Sequence, residues 1–237
     1  MLREVDLKDI SDGRLYMLND MVKADTGSCS GCHKCCTGMG SSIVLDPFDV
    51  YRLKKELSKS FNELLEAENV ELNIVDGLIL PNICMGKSDR CSFLNEQGRC
   101  SIHTARPGIC RLFPLGRVYE NDGFKYFLQS GECISHARTK IKVKKWVDTP
   151  DTEEYDKYIL EWHRFIRATG QKIINLKKNQ RPEHINDIAM YVLNEFYVKD
   201  IDMDAICEDE TSPDFHKQLY KQIRKKIILA KNAISRM

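Results

Sequence analysis

Cys29-Ser30-Gly31-Cys32-His33-Lys34-Cys35-Cys36 places four thiols within eight residues, and the rest of the chain is organised around that loop. Thiols this dense point to a metal, because thiolate is the common ligand of structural zinc and of iron–sulfur clusters. Cys29, Cys32 and Cys35 repeat the C-x2-C-x2-C spacing that wraps a cubane cluster, a short loop whose backbone N–H groups can also point at the sulfurs. A C-x2-C pair is equally half of many tetrahedral zinc sites, so the loop indicates a metal and leaves its identity open. A fourth ligand has to come from elsewhere.

With 42% hydrophobic and 30% charged residues the chain has the balance of an ordinary globular protein, and its 237 residues suffice for one large or two small domains. A net charge of +1, with both signs mixed along the chain, sets aside nucleic acid and anionic membranes as partners. No apolar run approaches the roughly 18 residues that cross a bilayer, and Met1-Leu2-Arg3-Glu4-Val5-Asp6 lacks the order of a signal peptide. The expected location is therefore cytoplasmic. In a reducing compartment ten cysteines are metal ligands or redox thiols rather than structural disulfides. Nine of them precede residue 134 and only Cys207 follows, which divides the chain into a cysteine-rich part and a helical part. The expected boundaries are a lead-in over 1–28, a metal-binding domain over 29–148 and a helical region over 149–237.

Residues 1–28 show no strong period. After the cysteine loop, residues 37–42 are turn-like and Ile43-Val44-Leu45 reads as a short strand. Gly38-Met39-Gly40 precedes that strand instead of following it, so it is a tight turn and no dinucleotide fingerprint. Asp46-Pro47 starts a helix whose stripe is Val50, Leu53, Leu57, Phe61, Leu64 and Leu65. Leu78-Ile79-Leu80 reads as a buried strand before Pro81. From Cys91 to Pro114 glycines and prolines impose irregular loops that present cysteines at intervals of about ten residues, the way distant ligands reach a metal held by a short loop. Residues 116–120 and 124–128 flank Asn121-Asp122-Gly123 as a hairpin that returns the chain toward the cluster through Cys133. Three helices follow, carrying Tyr155, Ile159, Trp162, Phe165 and Ile166, then Ile185, Ile188, Ala189, Val192 and Phe196 from near Pro182, then Phe215, Leu219, Ile223, Ile227, Ala230 and Ile234 after a Ser212-Pro213 start.

CSGCHKCC, then CSFLNEQGRCSIHTARPGICRLFPLGR, then Gly131-Glu132-Cys133, closely resemble the YkgJ-type cysteine-cluster family, also described as the CxxCxxCC zinc- or iron-chelating domain, over roughly residues 29–133. Its best-known functional relatives are flagellin lysine-N-methylases, so the resemblance implies an S-adenosylmethionine-dependent protein-lysine methyltransferase with an iron–sulfur cluster and a protein substrate such as flagellin. It places the family's cysteines at Cys29, Cys32, Cys35, Cys36, Cys91, Cys100, Cys110 and Cys133, and leaves Cys84 and Cys207 as extras. Where the family pattern often has tyrosine, this chain has His103, which stays outside the ligand set.

Eight thiols exceed the four that one zinc ion or one cubane cluster needs. Either two centres share the loop, or one centre takes four thiolates and the rest are buried, redox-active or able to replace a ligand. The triplet spacing favours a 4Fe-4S cluster over zinc. A radical S-adenosylmethionine loop would need cysteine at 28, which is serine, and no strand-then-glycine-loop signature of a Rossmann methyltransferase is present. Arg99, Arg106, Arg111 and Arg117 lie among the ligand loops, where guanidinium groups can offset thiolate charge, hold a carboxylate substrate or simply pair with nearby acids. His33, His103, His136 and His163 form no recognisable hydrolase triad. The expected fold is α+β: a loop-rich, metal-stapled cysteine domain with short strands, packed against C-terminal helices. Two functions follow, an iron–sulfur methyltransferase and a non-enzymatic zinc- or iron-binding module that docks a partner.

Overall fold

The structure, a computed structural model, describes residues 6–25, 32–133, 139–179, 182–204, 206, 209–212 and 214–237. Cys29, His136, Cys207 and Pro213 lie outside the described residues. The chain opens with the short helix α1 (Leu7–Ile10) and strands β1 (Ser11–Tyr16) and β2 (Met21–Asp25). Both strands come from the stretch without periodicity, and both find their partners more than a hundred residues later. Their signal is tertiary, which is why no local pattern announces them.

Helix α2 (Pro47–Leu57) begins as its sequence requires. The Asp46 side chain accepts from the Asp49 N–H at 2.9 Å while the Asp49 side chain accepts from the Asp46 N–H at 3.3 Å, a reciprocal cap with proline at the first helical position. The apolar stripe expected on one helix is divided. Ser58 takes a left-handed conformation with φ of 50°, and Ser60 then starts α3 (Phe61–Glu66) with a second reciprocal cap to Glu63. Val50, Leu53, Phe61 and Leu64 are buried all the same, because the break rotates the second helix onto the same core.

Strands β3 (Val70–Val75) and β4 (Leu78–Ile83) form a two-stranded hairpin around Asp76-Gly77, both with positive φ. Strand β4 runs on through Pro81, which tolerates its missing N–H at a sheet edge while its carbonyl accepts from Leu45 N–H at 2.9 Å. The expected strand at 43–45 is a single bridge, Val44 to Asn82, beside this edge. Irregular loops lead to α4 (Gly108–Leu112), then β5 (Leu115–Tyr119) and β6 (Phe124–Gln129) close the expected hairpin. Strand β1 joins it in a three-stranded antiparallel sheet of order β1-β6-β5, and β7 (Thr139–Lys142) pairs with β2 before α5 (Val143–Val147).

The last third is helical: α6 (Thr152–Lys178), α7 (Glu183–Leu193), which widens into one π turn at Asn194–Val198, and α8 (Phe215–Arg236). Helix α8 starts past the expected Ser212 cap; Ser212 instead accepts from the Phe215 N–H at 3.1 Å and closes the preceding turn. Two cores result. The larger joins Phe48, Leu53, Leu64 and Leu78 to Tyr158, Phe165, Ile188, Leu219 and Ile223, each large apolar side chain contributing about 1.5–3 kcal/mol on full burial. The smaller gathers Val22, Ala24, Leu112, Leu115, Tyr126 and Val143 under β1 and β2. The fold is thus α+β, and among the described residues no helix is long and apolar enough to cross a membrane.

Candidate metal centre

Two irregular segments and one short helix carry all the described thiols but Cys133, and hydrogen bonds tie them to one another and to α2. Lys34–Cys36 form a 3-10 turn closed by Cys36 N–H to the His33 carbonyl at 2.9 Å. That turn is joined to the loop after β4: Cys91 N–H donates to the Cys36 carbonyl at 2.9 Å, and Gly38 N–H to the Asp89 carbonyl at 2.8 Å. Residues 91–101 then double back as a small loop. Asn95 N–H donates to the Arg99 carbonyl at 2.9 Å, and Ser101 N–H to the Phe93 carbonyl at 2.8 Å, which sets Cys91 and Cys100 at its two ends. Phe93 and Ile102 are buried and anchor it. Gly98 turns it at φ of 71°, and a Cβ there would stand 3.2 Å from His33 Nδ1, so its tip lies against the first segment.

The third segment is α4, with Cys110. Gly108 N–H donates to Asp49 at 2.7 Å, and Arg52 of α2 donates to the Thr104 and Arg106 carbonyls. The capped start of α2 therefore positions Cys110 as well as the helix.

These contacts bring Cys35, Cys91, Cys100 and Cys110 into one neighbourhood. Cys35 is hydrogen-bonded to Cys36, and that bond, then burial, pushes its thiol far up, with Arg106 pulling the other way. Burial raises Cys91, with Cys100, Cys35 and Cys84 adding to the effect. Burial also raises Cys100, against which Arg106 acts. Cys110 is pushed far up by burial, then by Asp49, Cys91, Cys35 and Cys100. Such thiols hold their protons chiefly because burial disfavours the charged thiolate, and secondarily because each thiolate would repel the next; a bound cation reverses that balance and releases the protons.

In donor chemistry the group suits zinc or iron, both of which accept all-thiolate ligation. Among the described residues no three Cys, His, Asp or Glu side chains stand in an arrangement that could hold a metal ion as they are. The thiols are within electrostatic reach of one another, and Cys29, first of the triplet, lies outside the described residues. Cys32 is half-buried just before the turn. Cys133 is half-buried beyond β6, where Ser130 N–H donates to the Ile10 carbonyl at 2.8 Å.

Cys84, set aside as an extra, lies beside Cys91: Ser92 N–H donates to its carbonyl at 3.1 Å, and burial followed by the charges of Glu71 and Glu68 raises its thiol. The short closed loop between them, bridged from Met85 to Cys91, is the signal that spacing alone did not convey. Of the arginines, Arg106 acts on Cys35 and Cys100. Arg111 and Arg117 turn inward, toward Tyr155. His163 belongs elsewhere: its ring stacks on Tyr119 with centroids 3.5 Å apart, and burial lowers its pKa to about 4.

Residues 28–146 match the family model of the CxxCxxCC domain, to which zinc or iron chelation is ascribed. No curated protein and no solved structure matches the chain significantly.

Proposed function

Because the chain belongs to the CxxCxxCC family, a domain to which zinc or iron chelation is ascribed, we propose that Cys35, Cys91, Cys100 and Cys110 are the heart of one thiolate metal centre. Cys29, Cys32, Cys36 and Cys133 complete the reservoir of ligands. One observation carries this reading: thiols from three segments, spread over 75 residues of sequence, lie close enough to perturb one another, with Arg106 beside them. Of the two metals we favour an iron–sulfur cluster, on the C-x2-C-x2-C spacing of Cys29, Cys32 and Cys35.

Iron, acid-labile sulfide and the visible spectrum, measured on anaerobically purified protein, test both parts. Iron with matching sulfide and a brown chromophore supports the cluster. Stoichiometric zinc without sulfide replaces it with a zinc module, and neither metal removes the reading. Cys110→Ser is expected to lose the metal, whereas Cys207→Ser keeps it.

The finer proposal, methyl transfer from S-adenosylmethionine to a lysine of a protein such as flagellin, draws its support from the resemblance in the cysteine motifs. Saturable S-adenosylmethionine binding by the metal-loaded chain, followed by calorimetry, supports it; no heat on fully loaded protein disposes of it and leaves a binding module.

A further inference from the structure

Arg106 stands between the loop that ends in Cys100 and the helix that carries Cys110, directly after the 3-10 turn His103–Ala105 and before Pro107. Its backbone is pinned from two sides, the carbonyl accepting from Arg111 Nη1 at 3.1 Å and from Arg52 Nη1 at 3.3 Å. Its chain neighbours Ala105 and Pro107 are buried, so the side chain projects from a fixed point. That side chain is left with unmet bonding capacity. Its Nε is buried without a hydrogen-bond partner among the described residues. The ion pairs among the described residues do not include its guanidinium.

An unmatched buried N–H is rare in a folded chain, because it gives up its hydrogen bonds to water and gains none in return. Two sulfurs lie within electrostatic reach of this guanidinium. The Cys36 hydrogen bond and then burial hold Cys35 protonated, and burial holds Cys100; Arg106 acts against both. The carboxylates near the thiols work the other way, Asp49 on Cys110, and Glu71 and Glu68 on Cys84. Four thiolates around one zinc ion or one 4Fe-4S cluster leave the loaded centre negative, and their sulfurs still accept N–H bonds. A guanidinium supplies both the opposing charge and the donors.

We propose that Arg106 is the cation of the metal centre, a positioning residue whose guanidinium donates to the thiolate sulfurs of Cys35 and Cys100 and offsets the negative charge of the loaded ligand set. This rests on the reading of Cys35, Cys91, Cys100 and Cys110 as one centre. Arg106 ligates nothing itself. Its charge lets the thiols part with their protons more readily, so the metal is held tighter and down to a lower pH than the sulfurs alone would hold it.

The test uses the full chain, stripped by a chelator and reloaded with zinc, which all-thiolate sites accept whichever metal they hold natively. Zinc affinity is measured by chelator competition at pH 7, and zinc release is followed with a chelating dye as pH falls. Arg106→Met, which keeps the aliphatic stem and removes the charge, is expected to weaken zinc about tenfold, the loss of one hydrogen bond to a charged group. It is also expected to move the pH of half-release upward. Arg106→Lys, which keeps a charged donor, is expected to recover most of both. Wild-type behaviour in Arg106→Met overturns the inference alone and leaves the metal centre standing. Equal losses in the Met and Lys variants mark a packing role and also overturn it. A wild-type chain that takes up no zinc and, as purified, holds no iron fails the metal reading, and this inference falls with it.

Discussion

Asp46 caps α2, holds the Tyr158 hydroxyl and sits next to Asp49, all in a buried place. Burial, with the Asp49 charge second, pushes its carboxyl from 3.8 up to about 7. The folded chain therefore keeps a proton that the unfolded chain releases once pH passes about 4. Its contribution to stability is full below that pH and is lost as pH rises from about 4 to about 7. Asp46→Asn, an equally good cap, is expected to flatten much of that slope in melts recorded from pH 4 to 8; an unchanged slope would assign it to Asp49 or Asp156 instead. The cap itself is legible in Asp46-Pro47, and the thiols are legible in their spacing. The proton is not, because it comes from burial in the assembled fold and from the Asp49 charge, and it persists although the Tyr158 hydroxyl, 112 residues away, donates to the carboxylate and favours its charged form.

Gly170 lies inside α6, where alanine would ordinarily add up to about 1 kcal/mol of helix propensity. Here the added Cβ would meet the Asp76 carbonyl at 3.0 Å and the Asp76 Cβ at 3.3 Å. That carbonyl belongs to the tight turn between β3 and β4, which has little freedom to withdraw. Overpacking of this kind costs typically about 1–3 kcal/mol, so Gly170→Ala is expected to destabilise on balance. A denaturation midpoint above that of the wild type would show that the hairpin yields. The helices were legible because each repeats its apolar residues every three or four positions, whereas the division between α2 and α3 hinges on the Ser60 and Glu63 cap within an unbroken stripe. The strands from the first 25 residues had no such repeat to show; only pairing with β6 and β7 defines them.

Over the whole molecule the two halves are held by different means. Helices α6 and α8 face each other through Tyr155, Tyr158, Phe165, Leu219, Tyr220 and Ile223, all buried. Between Cys84 and Pro107 the fully buried apolar side chains of the core are Phe93, Ile102 and Ala105, and most of the backbone is loop. If the proposed metal ties those loops, its removal by a chelator is expected to speed amide hydrogen exchange over residues 32–42 and 84–107 while α2, α6 and α8, which share the larger core, keep their protection. Uniform loss across both halves would mean that the metal is incidental to the loops. The α+β class and the order of cysteine part before helices could be read from residue types alone. The junction could not, since it is made by pairs such as the Tyr197 hydroxyl on the Leu45 carbonyl at 3.0 Å, 152 residues apart.

That junction has a consequence for synthesis. Chains are made from the N-terminus at about 5–20 residues per second, so the cysteine loops emerge several seconds before Tyr158 and Tyr197, the residues that close over the start of α2. During that interval the thiols face the surroundings on a chain whose covering helices do not yet exist. Protection of the cysteine half on the ribosome has to come from outside the molecule, or from whatever the thiols bind first.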